Sequence, residues 1–299
     1  MQHKKLIYTH FVRKVMRSVL FLISIFFTAC VNATVTFESS WGGDYYQYIP
    51  TNKPKNIMVI AHGMLSNTEN ASDVAKQYIT RWIPYADEYG LLLIAPVFDT
   101  ARFGNLGGGY GGYRNLFGKN ISADQFVNNI VDRSSNYTSS RSNSFYLYGH
   151  SAGGQFVNRY IVTHPDRIIR AVISAAGRYS YPTKSSKWPY GAGDLSKTIA
   201  WKDGTQQSVY VSKLLKNYAV ASKKVSIVIG STDIKPQPKR PAHVGNNRIE
   251  FAHSWARAMN ENAKKFGIKG NVNVDIIPNV GHSSSKLTPY SAQALFGHR

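Results

Sequence analysis

The sequence is short of cysteine and of acid. It has one Cys in 299 residues, and 16 Asp and Glu against 36 Lys and Arg. A lone thiol excludes an intrachain disulfide scaffold and any zinc site built on cysteines, since both need several. There is no H-E-x-x-H and no carboxylate pair at ligand spacing, so the pattern calls for no metal. The apolar run Val19–Val31, interrupted by Ser24 and Thr28, falls short of the roughly 20 residues of a membrane-spanning helix. The scarcity of acids leaves a formal charge of +20. Even so, 43% hydrophobic and 13% aromatic residues build a packed core, which a disordered polycation lacks.

What is present begins with a leader. Lys4, Lys5, Arg13, Lys14 and Arg17 precede the apolar run, the order of a signal peptide. Val31-Asn32-Ala33 supplies small residues for cleavage, which makes residues 1–33 the leader and 34–299 the mature domain. A second reading takes Phe27-Thr28-Ala29-Cys30 as a lipoprotein box with Cys30 lipidated and the protein tethered to a membrane. An uncleaved signal anchor is the third, and Met16 is an alternative start. Each of the first two expects export to the periplasm, the outer membrane or beyond. The leader carries five positive charges and no negative ones, so residues 34–299 keep +15.

Beyond the leader, strand-like runs alternate with helical ones. Asn56–Ala61, Leu91–Pro96, Ser144–Tyr148, Ala171–Ala175, Val225–Gly230 and Val272–Ile277 read as strands, several of them continuously apolar. Residues 71–88, 123–133, 154–163 and 247–266 read as helices. This alternation predicts an α/β domain with right-handed crossovers. Two segments interrupt it. Residues 104–118 contain a formal G-x-G-x-x-G at Gly107, Gly109 and Gly112, but it follows a long loop instead of a strand, so no dinucleotide site is expected. Residues 179–218 are too long for a simple connection and read as a cap-like insertion.

Gly149-His150-Ser151-Ala152-Gly153 is a G-x-S-x-G pentapeptide between a strand and a helix. That context strains the serine backbone and exposes its hydroxyl. A serine needs a base and an orienting acid, which on such a sheet follow in the order Asp, then His, each just past a strand. Asp233 follows Val225–Gly230, and His282 follows Val272–Ile277. Asp275 lies inside a strand, His253 inside a helix, and His243 in the loop after Asp233. His150 neighbours the nucleophile, with its side chain expected to point away. Oxyanion donors are expected from the Ala152 N–H and from Met64 in Ala61-His62-Gly63-Met64.

With these residues in hand, the chain resembles the α/β-hydrolase superfamily over about residues 56–282. Ser144–Tyr181 is similar to the nucleophile region of exported bacterial esterases of the polyhydroxyalkanoate-depolymerase and feruloyl-esterase type, and Lys187-Trp188-Pro189-Tyr190-Gly191 fits the same set. The resemblance implies an eight-stranded, mostly parallel sheet flanked by helices. It implies hydrolysis of carboxylic esters through an acyl-enzyme, with Ser151 as nucleophile, His282 as base, Asp233 as its orienter, and no cofactor. Secreted polyester depolymerases often add disulfides and a binding module; this chain shows neither, which argues against polymer degradation and favours a soluble or short-chain ester, a small molecule or an oligomer.

Tyr110, Tyr113, Trp188, Tyr190 and Trp201 are candidates to line the substrate pocket. Lys235, Lys239 and Arg240 form a basic patch soon after Asp233, which reads either as a solvated basic face or as a means of steering an anionic substrate or holding the protein near an acidic surface. No fold or groove for nucleic acid is legible. A serine peptidase or thioesterase shares every one of these motifs, and a catalytically silent binding protein on the same scaffold is the reading from another class.

Overall fold

Strands that are apolar on both faces need cover on both, and the molecule supplies it. The structure is a computed structural model describing residues 33–297, apart from Asn67, 105–110, 194–198, 201–205, 208–213 and Lys239. Eight strands form one sheet: β1 (Val35–Ser40), β2 (Gly43–Tyr48), β3 (Asn56–Ala61), β4 (Leu91–Pro96), β5 (Phe145–His150), β6 (Ile168–Ser174), β9 (Val225–Gly230) and β10 (Asn273–Ile277). Their order is β1-β2-β4-β3-β5-β6-β9-β10. β1, β2 and β4 pair antiparallel, and every other neighbour is parallel. Two short strands, β7 (Ile199–Ala200) and β8 (Gln206–Gln207), pair separately.

Successive residues of a strand face opposite sides, and the core divides accordingly. Val59, Ala61, Leu147, Ile173 and Ile227 face one layer. That layer is built from α3 (Ala123–Ser134), α4 (Ala152–Thr163), α5 (Leu214–Ala221) and α6 (Arg248–Lys265), through Phe126, Phe156, Tyr218, Trp255 and Met259. Met58, Ile60, Tyr148, Val172 and Val228 face the other layer, formed by α1 (Ala71–Tyr89) and α7 (Ser284–Phe296) through Ile79, Trp82, Leu287 and Leu295. A short α2 (Thr100–Phe103) follows β4. Asn70 caps α1 by accepting the Ser72 N–H, and Gly90 closes it with φ 64°.

Three elements carry no clear sequence signal. β1 and β2 mix aromatic and polar residues as a hairpin at the sheet edge, so no apolar run announces them. α7 carries Pro289, which interrupts the helical pattern. The segment expected as a cap also ends differently. α5 begins at Leu214, inside it, and buries Leu214 and Tyr218 in the core. Its earlier part, Tyr181–Gly193, folds back on itself, with Tyr181 N–H to Tyr190 O at 2.9 Å and Ala192 N–H to Thr183 O at 2.7 Å.

Candidate active site

β5 ends at His150 and α4 starts at Ala152, so Ser151 alone makes the turn between them. Its backbone has φ 55° and ψ −109°, costly for a residue with a side chain. Two glycines allow the chain to pack this tightly. A Cβ on Gly149 would lie 2.3 Å from the Gly153 backbone, and one on Gly153 would lie 2.1 Å from the Ala61 carbonyl oxygen. The Ser151 N–H donates to Ser174 O at 2.8 Å, tying the turn to β6.

β9 and β10 are parallel neighbours with Ile277 opposite Gly230, which sets their exit loops side by side. Those loops are joined by Ser231 N–H to Ile277 O (2.9 Å), Thr232 N–H to Val280 O (3.0 Å) and Asn279 N–H to Ser231 Oγ (2.9 Å). The result brings Ser151, Asp233 and His282 together. His282 Nδ1 lies 2.7 Å from Asp233 Oδ2, and His282 Nε2 lies 2.9 Å from Ser151 Oγ. An ionised carboxylate can only accept, so Nδ1 carries the proton and Nε2 presents a lone pair to the serine hydroxyl. This is the hydrogen-bond order that lets an imidazole take a proton from a serine.

Two further residues complete this geometry. Arg248 donates from Nη1 to Asp233 Oδ1 at 2.8 Å, so the buried carboxylate has both oxygens occupied. The signal for it is the cap of α6. Asn247 accepts the Glu250 N–H at 3.0 Å and donates to Glu250 Oε1 at 2.6 Å, which fixes the helix start immediately before Arg248. His150 does not reach the serine hydroxyl, but neither does it turn away from the site. Its ring packs 4.7 Å from the His282 ring, and its Nδ1 lies 3.0 Å from Ser174 Oγ. Burial, reinforced by His282, pushes its pKa well below the usual histidine range, so it is a neutral wall.

The loop after β3 lies against the same serine. A Cβ on Gly63 would stand 3.9 Å from Ser151 Cβ. Buried His62 anchors the loop. It accepts the Phe98 N–H at Nε2 (3.2 Å) and donates from Nδ1 to Gly63 O (2.8 Å), and burial lowers its pKa to about 4. Tyr113 Oη also reaches His62 O and Gly63 O, each at 2.9 Å. With the Gly63 carbonyl held toward Tyr113, its trans peptide turns the Met64 N–H the opposite way. Ala152 N–H heads α4, where the first amides have no helical partner.

Solved structures of other proteins share this architecture. Poly(aspartic acid) hydrolase-1 from Sphingomonas sp. KT-1 matches at 23% identity and a TM-score of 0.67, covering 88% of this chain and 98% of that one. LpqC, a poly(3-hydroxybutyrate) depolymerase from Bordetella parapertussis, matches at 21% and 0.68, covering 90% and 91%. An S-formylglutathione hydrolase from Agrobacterium tumefaciens matches at 15% and 0.51, covering 87% and 92%. This is an α/β-hydrolase fold. No protein-family model matches the sequence, and no curated protein does.

On an α/β-hydrolase sheet the residues gathered here all leave the carboxyl ends of strands, where such folds place their ligands. The candidate pocket residues divide. Tyr113 is 1% exposed and spends its hydroxyl on the His62 and Gly63 carbonyls, so it supports the loop and lines no open surface. Trp188 packs against the core. Tyr190 is half-buried, its ring 5.7 Å from His243. Met64 keeps its side chain 42% exposed. Cys30, Tyr110 and Trp201 lie outside the described residues. Among the described residues, no group of His, Cys, Asp and Glu could hold a metal, and no helix is long and apolar enough to cross a membrane.

Proposed function

We propose that this protein is an exported serine hydrolase that cleaves carboxylic esters through an acyl-enzyme on Ser151. The observation that carries the reading is the hydrogen-bonded chain Ser151–His282–Asp233 at the head of a strained strand-to-helix turn. The α/β-hydrolase architecture supports it, as do the hydrolase activities of the proteins that share it.

In this reading Ser151 Oγ attacks the substrate carbonyl while its proton passes to His282 Nε2. The carbonyl oxygen becomes an oxyanion facing the Ala152 and Met64 N–H groups, with the start of α4 adding its positive end. Collapse of the tetrahedral adduct breaks the bond to the leaving oxygen, which takes the proton from His282. Water then repeats the sequence on the acyl-serine, releasing the acid and restoring the hydroxyl. Asp233 stays ionised throughout and stabilises the imidazolium. The basic and apolar order of residues 4–31 supports the export in this reading, with Cys30 as the candidate tether.

Labelling with a fluorophosphonate tests this directly. The expected adduct maps to the peptide containing Ser151 and is absent in Ser151→Ala. Folded protein that stays unlabelled, or is labelled elsewhere, contradicts the assignment. A panel of esters, thioesters and aminoacyl amides then separates esterase from thioesterase and peptidase.

A further inference from the structure

Beside Ser151 lies a polar niche whose donors exceed their partners. Gly177 follows the carboxyl end of β6, and a Cβ there would meet Gln237 Oε1 at 3.5 Å, Arg248 Nε at 3.7 Å and Gln155 Nε2 at 3.7 Å. Glycine leaves that space open, and three polar side chains surround it. Gln155 stands one helical turn beyond Ser151, its N–H donating to Ser151 O, and its side-chain amide has no hydrogen bond among the described residues. Arg248 has spent Nη1 on Asp233, and its Nε is buried without a partner.

Arg178, next in the chain, adds a second guanidinium. It lies 5.8 Å over the Phe251 ring, and its Nη1 donates to the Gly177 carbonyl and to Gln237 Oε1 at 3.4 Å. Those contacts fix its position and leave its charge uncompensated, since it has no ion pair among the described residues. Burial and the nearby Arg240, Arg248 and Arg114 push its pKa down, the mark of a cation without an anion. Asp233 cannot serve, because its oxygens already hold Arg248 and His282. Half-buried guanidinium and amide donors in this state are matched by a carboxylate, for which Arg offers paired N–H groups.

We propose that the Gly177 niche binds a carboxylate carried by the substrate, so that the ester cleaved at Ser151 is the half-ester of a dicarboxylic acid or an oligoester ending in a free acid. Arg178 makes the charge pair, while Gln155 and the Arg248 Nε complete the donor set. Exposed Lys235 and Arg240, on the loop after Asp233, raise the local concentration of such anions. This substrate class rests on Ser151 acting as the nucleophile.

The test compares mono-p-nitrophenyl glutarate with p-nitrophenyl pentanoate, matched in length and differing in the terminal carboxylate. It uses wild type, Arg178→Gln, Arg178→Lys and Gly177→Ala. The alanine fills the niche without removing charge, and its Cβ makes only van der Waals contacts. Wild type is expected to favour the glutarate half-ester in kcat/KM by about tenfold or more, and Arg178→Gln and Gly177→Ala to cut that ratio about tenfold, with part kept by Arg178→Lys. A wild-type ratio near unity, or variants that keep the wild-type ratio, overturns the proposal. Calorimetry with glutarate alone needs no turnover: binding by wild type and its loss in Arg178→Gln supports the niche, and no binding by wild type overturns it. Were the fluorophosphonate to leave Ser151 unlabelled, the hydrolase reading would fall and the glutarate titration would still decide the niche.

Discussion

Arg248 holds Asp233 by the carboxylate oxygen that His282 leaves free, at 2.8 Å against 2.7 Å for the histidine. Together the two donors satisfy and aim a buried carboxylate. Replacing Arg248 with Met removes the cation paired with an almost fully buried acid. With p-nitrophenyl pentanoate, which carries no carboxylate for the Gly177 niche, the expected result is a kcat lower by about tenfold with KM little changed, and an acidic limb of the pH–rate profile moved to higher pH. Arg248→Lys restores part of both. A variant that loses thermal stability but keeps the wild-type pH profile would show that Arg248 only supports the fold.

The turn at Ser151 depends on what its neighbours lack. Gly153→Ala places a methyl 2.1 Å from the Ala61 carbonyl oxygen and 2.7 Å from the His62 carbonyl oxygen, and both are backbone atoms with little room to move. Overpacking of this kind costs about 3 kcal/mol or more. Denaturant unfolding should show a midpoint shift of that size, or no cooperative transition at all. Wild-type stability would mean that the β3 and α4 backbones separate without cost.

Tyr113 has no substrate-facing role here, yet its hydroxyl supports the loop that presents Met64. Tyr113→Phe keeps the ring stacked 4.4 Å from Phe98 and removes only the hydroxyl. The two carbonyls lose a buried donor, worth about 1–2 kcal/mol of stability. Because the loop then holds its N–H less firmly, kcat should fall more than KM changes. Unaltered kinetics would separate Tyr113 from the oxyanion donor.

Acid should weaken the fold through its buried histidines. Burial lowers His62 and His243 to about 4, whereas both titrate near 6.5 once unfolded. Between those values the unfolded chain binds protons that the folded one does not. Their contribution is therefore complete above pH 6.5 and is lost as pH falls toward 4, at up to roughly 1.4 kcal/mol per pH unit for each. Unfolding free energies measured from about pH 7 to about pH 5 should decline accordingly. A flat profile contradicts the burial of neutral imidazoles.

The central strands of the fold, and the positions of the candidate site residues at their ends, are legible in the sequence. Ser151, Asp233 and His282 each stand shortly past a strand, and the strands buried almost along their whole length are the ones that keep their expected limits: Asn56–Ala61, Leu91–Pro96 and Val225–Gly230. Arg248 escaped because its partner lies 15 residues back on another element, and only the Asn247/Glu250 cap hinted at where its side chain begins. His150 departs from the outward orientation expected of it, since burial brings its ring against His282 although it makes no bond to the serine. The role of Tyr113 was hidden for the opposite reason, because in sequence an aromatic on a glycine-rich loop looks like pocket lining. The edge hairpin β1–β2 and the proline-bearing α7 lack the periodicity that would announce them.

Every step of the proposed hydrolysis depends on the Ser151 hydroxyl, and steady-state hydrolysis of p-nitrophenyl pentanoate by Ser151→Ala tests that role most directly. With His282 and Asp233 intact but no nucleophile, kcat is predicted to fall by at least ~10⁴-fold while the fold is preserved. Hydrolysis at the wild-type rate by the folded alanine variant would contradict it.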